Sequence, residues 1–288
     1  MSKSIQKEPP DNHPPLDKLG QLPTKDRKTG KSLQKRARSK WYTQGIVGGL
    51  MYLKSPLRKY YQRAYYCNNL IIQEGETLRS TYCDSRICHV CNRIRTAKMM
   101  NGYISQLEGR ELYFVTLTVP NVDGDQLTST IKRIQAEVVK MMRVFRERRG
   151  IPFNGIRKLE VTYNQYTKTF HPHIHLLVDK NGQCLVDDWL KRNPTANRLA
   201  QDCRLADEGS LHELFKYSTK IIGHKEEKLI VYVKALDTIM TSLFGLRTFQ
   251  PFGDIRKVSE IVDDSLKKEI YKEIPVYDFM EWTWKECD

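Results

Sequence analysis

No stretch of the 288 residues approaches the roughly 18 to 20 consecutive apolar residues that a membrane-spanning helix needs, and the polar N-terminus lacks the apolar core of a secretory signal. A cytoplasmic protein with no membrane partner is therefore expected. Acidic residues are in short supply, 34 Asp+Glu against 48 Lys+Arg, which leaves a formal net charge of +14 and a pI near 9.4. A field of that sign draws polyanions, nucleic acid first among them. No internal repeat of solenoid spacing occurs. Cysteines number only seven, and in a reducing compartment they do not form a disulfide framework. Three of them crowd into Cys83, Cys88 and Cys91, which points to metal binding. The chain is 40% hydrophobic, so full-length disorder is excluded.

Residues 1–40 hold eleven Lys/Arg and four acids and are rich in proline, so they read as a basic disordered arm. Lys35, Arg36, Arg38 and Lys40 are its candidate DNA-binding residues, since cations on a loose arm add salt-sensitive affinity for phosphates. Residues 41–100 turn to tyrosines and cysteines and read as a small Cys-rich unit. Residues 101–250 carry the clear periodicity, and 251–288 read as a C-terminal extension.

Within 101–250, Leu112–Val119 is β-branched and aromatic and stops at Pro120, the signature of a strand. Leu127, Ile131, Ile134, Val138, Met141, Met142 and Phe145 recur at helical steps. Ile156–Tyr163 and His173–Val178 read as a strand hairpin. Asp187–Lys191 reads as a short helix and Cys203–Leu205 as a strand. A helix is predicted from Ser210 through Tyr217 to about Ile222, and another over Leu229–Leu246. The order β-α-β-β-α-(β)-α predicts an α+β domain, a mainly antiparallel sheet with flanking helices.

The sharpest feature is His171-Pro-His173-Ile-His175. On a strand these three imidazoles share one face while Ile174 and Leu176 turn to the core. A turn near residue 167 sets Glu160 across from His173–His175, about 5 Å away, so one carboxylate and two imidazoles can hold a divalent ion such as Mg²⁺, Mn²⁺ or Zn²⁺. On the predicted helix, Glu213, Tyr217 and Lys220 line one face: an acid, a phenol and an amine suited to phosphoryl transfer. Ser210-x-x-Glu213 also reads as a helix capping box, which would explain Glu213 without catalysis. Cys88-x2-Cys91 has the spacing at which two thiolates reach one tetrahedral Zn²⁺; Cys83 joins them and Cys67 completes the set, with His89 as a substitute.

Two families resemble this pattern. His171-x-His173-x-His175-Leu-Leu is similar to the histidine-triad nucleotide hydrolases, but only over that short segment. The wider resemblance is to the HUH endonucleases, and within them to the rolling-circle replication initiators of small plasmids. Phe114-Val-Thr-Leu-Thr-Val-Pro-Asn121 resembles their first motif, His171–Val178 their second, Lys216-Tyr217-Ser-Thr-Lys220 their third, and Cys83–Cys91 their Cys-rich segment.

That resemblance implies a ferredoxin-like fold and a metal-dependent enzyme that nicks and rejoins origin DNA. Tyr217 would be the nucleophile of a 5′-phosphotyrosine intermediate, and His173 and His175 metal ligands. Glu213 would activate water and Lys220 would steady the leaving group. Single-stranded or hairpin DNA would be the substrate, with a host helicase and DNA polymerase as partners. Only Tyr217 stands in the third motif, so a single-tyrosine mechanism is implied. An HUH transposase or relaxase, and a non-catalytic zinc-dependent DNA-binding protein, are the other readings of the same residues.

Overall fold

Residues 27 onward are helical where a disordered arm is expected. In the computed structural model, which describes residues 27–74, 77–215, 222–225, 228–262, 276–278 and 283–285, helix α1 spans Arg27–Leu50. Its scattered apolar residues fall at helical steps, and Leu33, Ala37, Ile46, Val47 and Leu50 are all buried. The boundary expected at residue 40 therefore lies inside a packed helix.

Helix α2 (Arg58–Tyr65) buries Tyr61 and Ala64 and packs on α1. Strands β1 (Leu70–Glu74) and β2 (Thr77–Ser80) pair antiparallel, and helix α3 (His89–Leu107) follows. These elements, up to Ala97, belong to the first of two compact units.

The second unit is built on five strands. They are β3 (Tyr113–Thr118), β4 (Gly155–Asn164), β5 (Thr169–Val178), β6 (Asp202–Leu205) and, further along the chain, a strand at Phe249–Phe252. Helix α4 (Leu127–Arg148) follows β3, α5 (Gln183–Arg192) follows β5, and α6 (Glu208–Phe215) follows β6. The spatial order is β6-β3-β5-β4, with the Phe249–Phe252 strand outermost beside β4 and every neighbouring pair antiparallel. A β-α-β-β-α-β chain that places its third strand between its first and second is the split βαβ arrangement of ferredoxin-like domains, so the expected α+β class holds. At the start of β4, a side chain on Gly155 would collide with the carbonyl of Leu177, so only glycine lets the two strands meet there.

Alternation assigns the two sheet faces. One carries Val115, Leu117, Leu159, Val161, Ile174 and Leu176, all buried, and the apolar stripe of α4 and the residues of α5 pack on this sheet. The other face opens with Phe114, Ile156 and Leu177, which form a core with Met99, Tyr103 and Leu107 of α3, Leu214 and Phe215 of α6, and Phe249. Farther along that same face the strands become polar, and the site lies there.

Two expectations for the remaining chain change. Strands β7 (Ile222–Lys225) and β8 (Lys228–Val231) precede helix α7 (Val233–Leu243), so Leu229–Val231 is strand and not the start of a helix. After the outermost strand, β9 (Phe249–Phe252), strands β10 (Val276–Asp278) and β11 (Thr283–Lys285) do not form a separate extension. β10 pairs with β1, giving a four-stranded sheet β11-β10-β1-β2 in the first unit. No helix among the described residues is long and apolar enough to cross a membrane.

Candidate active site and metal centres

The histidine strand is the central strand of its sheet, and its two neighbours supply the rest of the site. In the β4–β5 ladder Glu160 stands opposite His173 and Lys158 opposite His175; in the β3–β5 ladder Thr116 faces His175 and Thr118 faces His173. The Phe-x-Thr-Leu-Thr segment and the histidine segment are thus one surface. Glu160 Oε2 lies 3.5 Å from His173 Nε2 and 3.8 Å from His175 Nε2, with the three residues 4%, 6% and 4% exposed.

These three offer ligand atoms that all lie within 4.8 Å of one another. An ion bound at about 2.0 to 2.2 Å separates neighbouring ligand atoms by about 3.0 to 3.6 Å. Glu160 stands at that spacing from His173 and slightly beyond it from His175, a set that a divalent cation would draw together. Each imidazole is held from behind. His173 Nδ1 donates to the backbone carbonyl of His171 at 3.1 Å, which leaves the Nε2 lone pair directed at the site; His175 Nδ1 meets Thr116 Oγ1 at 3.1 Å. Phe114 stacks under His175 at 5.0 Å between centroids. His171, half-buried, contributes no ligand atom to the group, and burial followed by the neighbouring His173 holds its pKa below the usual histidine value.

Lys158 was not legible as a site residue. Its side chain is buried, its ammonium pairs with Glu160 Oε1, and it donates to the main-chain carbonyl of Glu213 at 2.9 Å. That carbonyl is one of the last four of α6, which have no partner within the helix. Two residues before Glu160 on a strand is the same face, and that period was the signal available.

Glu213 itself reaches the site, with Oε1 3.9 Å from His175 Nε2 and Oε2 3.6 Å from the guanidinium of Arg204. Arg204 also lies over the Phe114 ring at 4.7 Å. The side chains of Glu213 and Arg204 are 39% and 44% exposed, so the buried ligand set meets solvent on their side. The expected capping box does not form. Asp207 caps α6 instead, and Ser210 lies within the helix. Tyr217 and Lys220 lie outside the described residues, two and five positions past the last residue of α6.

The cysteines assemble as expected. Cys67, Cys83, Cys88 and Cys91 are all buried, with Cys91 Sγ 3.6 Å from both Cys67 Sγ and Cys83 Sγ. Four thiolates on one zinc at about 2.3 Å stand about 3.8 Å apart, so this set fits a tetrahedral ion. The backbone is shaped for it. Asn68 and Asp84, each just after a cysteine, have positive φ of 60° and 54°, and the Ser85 and Cys83 amides donate to Cys83 Sγ and Cys67 Sγ, both at 3.3 Å. Cys88 immediately precedes α3 and Cys91 lies in its first turn, where the helix dipole favours a thiolate. The Cys88 thiol is held well below its usual pKa, by hydrogen bonds from Cys67, then Cys83 and Cys91. His89 is outside the set and stacks on Tyr42.

Of the four arm cations, Lys35 and Arg38 are exposed, and Arg36 donates to the Tyr82 hydroxyl at 3.1 Å. Lys40 is buried, and its ammonium donates to the carbonyl of Cys67 at 2.9 Å and to that of Tyr65, the last residue of α2, at 3.5 Å. Lys40 is therefore a strut of the cysteine unit and not a DNA contact.

Residues 76–184 match the family profile described as a replication protein, a span that includes Glu160, His173, His175 and three of the four clustered cysteines. Over 171 residues the chain is 31% identical to a Protein rep of Staphylococcus aureus, covering 52% of this chain and 74% of that protein. It is also 31% identical over 104 residues to a Protein rep of Streptococcus pneumoniae serotype 2, and 30% identical over 117 residues to one of a Bacillus species. It spans only 32% and 38% of the length of those two relatives. No solved structure matches. Fold, cluster and likeness together define a replication protein. The chain belongs to the Rep family of plasmid rolling-circle replication initiators.

Proposed function

We propose that the chain nicks and rejoins one strand of plasmid origin DNA through a covalent phosphotyrosine, with Tyr217 as nucleophile. The observation that carries this reading is the convergence of Glu160, His173 and His175 on one buried point with Glu213 at its solvent edge. A divalent cation, Mg²⁺ or Mn²⁺, held by those three residues would polarise the scissile phosphate and offset charge developing on it.

The chain's own groups supply the rest. Glu160 and the two imidazoles orient ligand atoms, and Lys158 neutralises one carboxylate oxygen while steadying the end of α6. The Tyr217 phenolate oxygen attacks phosphorus, a bond forms to the 5′ phosphate and the bond to the 3′ oxygen breaks. The departing 3′ oxygen takes a proton, from Lys220 in this reading, and the free 3′-OH can prime a polymerase. At termination Glu213 accepts a proton from the water that attacks phosphorus at a second junction, the bond to the 3′ oxygen there breaks and that oxygen takes a proton. The new 3′-OH attacks the phosphotyrosine, rejoining the strand as the Tyr217 oxygen leaves and is reprotonated. The cysteine cluster would hold a structural Zn²⁺ through Cys67, Cys83, Cys88 and Cys91. A scissile phosphate within a paired duplex is poorly reached, which favours a single-stranded or extruded hairpin substrate. A host helicase and polymerase would act on the nicked product.

The histidine-triad reading has less support, because His171 contributes no ligand atom to the group. The reading is tested by incubating the full chain with end-labelled single-stranded origin DNA and Mn²⁺. A labelled protein band that survives acid and disappears with a chelator is expected. No adduct under any divalent cation would reject it, and an acid-labile one would point to phosphohistidine.

A further inference from the structure

The cysteine unit carries a surface that the nicking reading leaves unused. From Arg27 to Gln73 the chain has eleven Lys/Arg and not one Asp or Glu. Both α1 and α2 fall within this acid-free stretch. In the connection between these helices and along α2, Lys54, Arg58 and Lys59 are all exposed, and no ion pair involves them among the described residues.

Flanking these cations in the chain are two exposed tyrosines, Tyr52 at 76% and Tyr66 at 55%. Tyr66 meets Tyr65 edge-on at 5.2 Å. Tyr52 lies in the short connection that leads into α2, and Tyr66 caps the far end of that eight-residue helix. The rings therefore bracket α2 in the chain, with the three cations between them. Large aromatic faces turned to water beside unopposed cations are what a single strand needs, because unpaired bases offer π-faces to stack on and phosphates for the cations to hold. A duplex offers the phosphates but not the faces.

We propose that Tyr52 and Tyr66, with Lys54, Arg58 and Lys59, form a single-stranded DNA platform on the cysteine unit. The rings stack on unpaired bases and the cations neutralise the backbone between them. The choice of DNA as the polymer rests on the reading of the chain as an origin-nicking initiator.

Fluorescence anisotropy of the full-length, zinc-loaded protein with a short oligothymidine and with a duplex of equal length tests the platform. The double variant Tyr52→Ala/Tyr66→Ala is expected to bind oligothymidine roughly 10- to 100-fold more weakly, while duplex affinity changes less than about twofold. Phenylalanine at both positions keeps the rings and restores oligothymidine binding. Lys54→Gln/Arg58→Gln/Lys59→Gln weakens both ligands and flattens the dependence of log K on log salt. Tyr52→Ala alone, at a mostly exposed side chain, serves if the double variant loses zinc, and is expected to weaken oligothymidine about fivefold. Unchanged oligothymidine binding, or equal losses on duplex, would overturn the proposal. Covalent adduct formation by the wild type is read separately. An adduct with no tyrosine dependence of binding removes the platform alone; tyrosine-dependent binding with no adduct removes the nicking reading alone.

Discussion

Ser210 donates its backbone N–H to Asp207 Oδ1 at 2.7 Å, and Asp207 returns its own N–H to Ser210 Oγ at 3.3 Å. That reciprocal pair is a capping box shifted three residues from the one read in the sequence. It releases Glu213 from structural duty and leaves its carboxylate beside His175.

The cap and the candidate base can therefore be separated. Asp207→Ala should destabilise the protein by about 0.5 to 2 kcal/mol in denaturant unfolding, as other cap losses do, while Glu213→Ala should show no such cap loss. Glu213→Gln should form the adduct at near-normal rate but fail to hydrolyse a second junction, so adducts accumulate. Normal termination by Glu213→Gln would retire the water-activating role.

At the histidine strand, alanine at His173 or His175, or glutamine at Glu160, should abolish nicking and lower the affinity for Mn²⁺ measured by titration calorimetry. His171→Ala should lose much less, because the bond that orients His173 uses the His171 backbone carbonyl, which alanine keeps. Equal losses at all three histidines would favour a histidine-triad chemistry.

Alanine at Cys88 or Cys91 should release about one zinc per chain and lower the melting temperature, since structural zinc contributes folding free energy directly. Elemental analysis and thermal unfolding check this. Metal-free protein that is folded and active would contradict the site.

Lys40 gives a prediction opposite to the one its sequence context suggests. Removing its buried ammonium with Lys40→Met leaves the carbonyls of Cys67 and Tyr65 without that donor, so stability should fall by about 1 to 3 kcal/mol. DNA affinity of the folded fraction should be little changed. Lys35→Gln/Arg38→Gln should do the reverse, weakening DNA binding and flattening its salt slope with stability intact. Anisotropy and denaturant unfolding on the same preparations separate the two.

The site was legible where it rests on local pattern. A short hairpin loop between two alternating strands sets the register closely, so Glu160 across from His173–His175 could be read from spacing, and the ladder sets it opposite His173. Cysteine spacing likewise gave Cys88 and Cys91, while the choice of Cys67 over His89 as the fourth ligand is settled by the fold. Elements defined by partners far along the chain were not legible. β10 pairs with β1 across roughly two hundred residues of sequence, and Leu229–Val231 is held as strand by β7. Helix α1 was hidden by its charge, because its apolar residues are few and only their burial reveals the stripe. Lys158 was hidden by habit of composition, since a lysine on a strand ordinarily faces water.

The central claim is that Tyr217 carries the DNA. Tyr217→Phe removes one oxygen and keeps the ring, so DNA binding should be unchanged. On a denaturing gel after incubation with labelled single-stranded origin DNA and Mn²⁺, wild type should give a covalent protein–DNA band and Tyr217→Phe none. A band of equal intensity in Tyr217→Phe would contradict the account and move the search for the nucleophile to Tyr232.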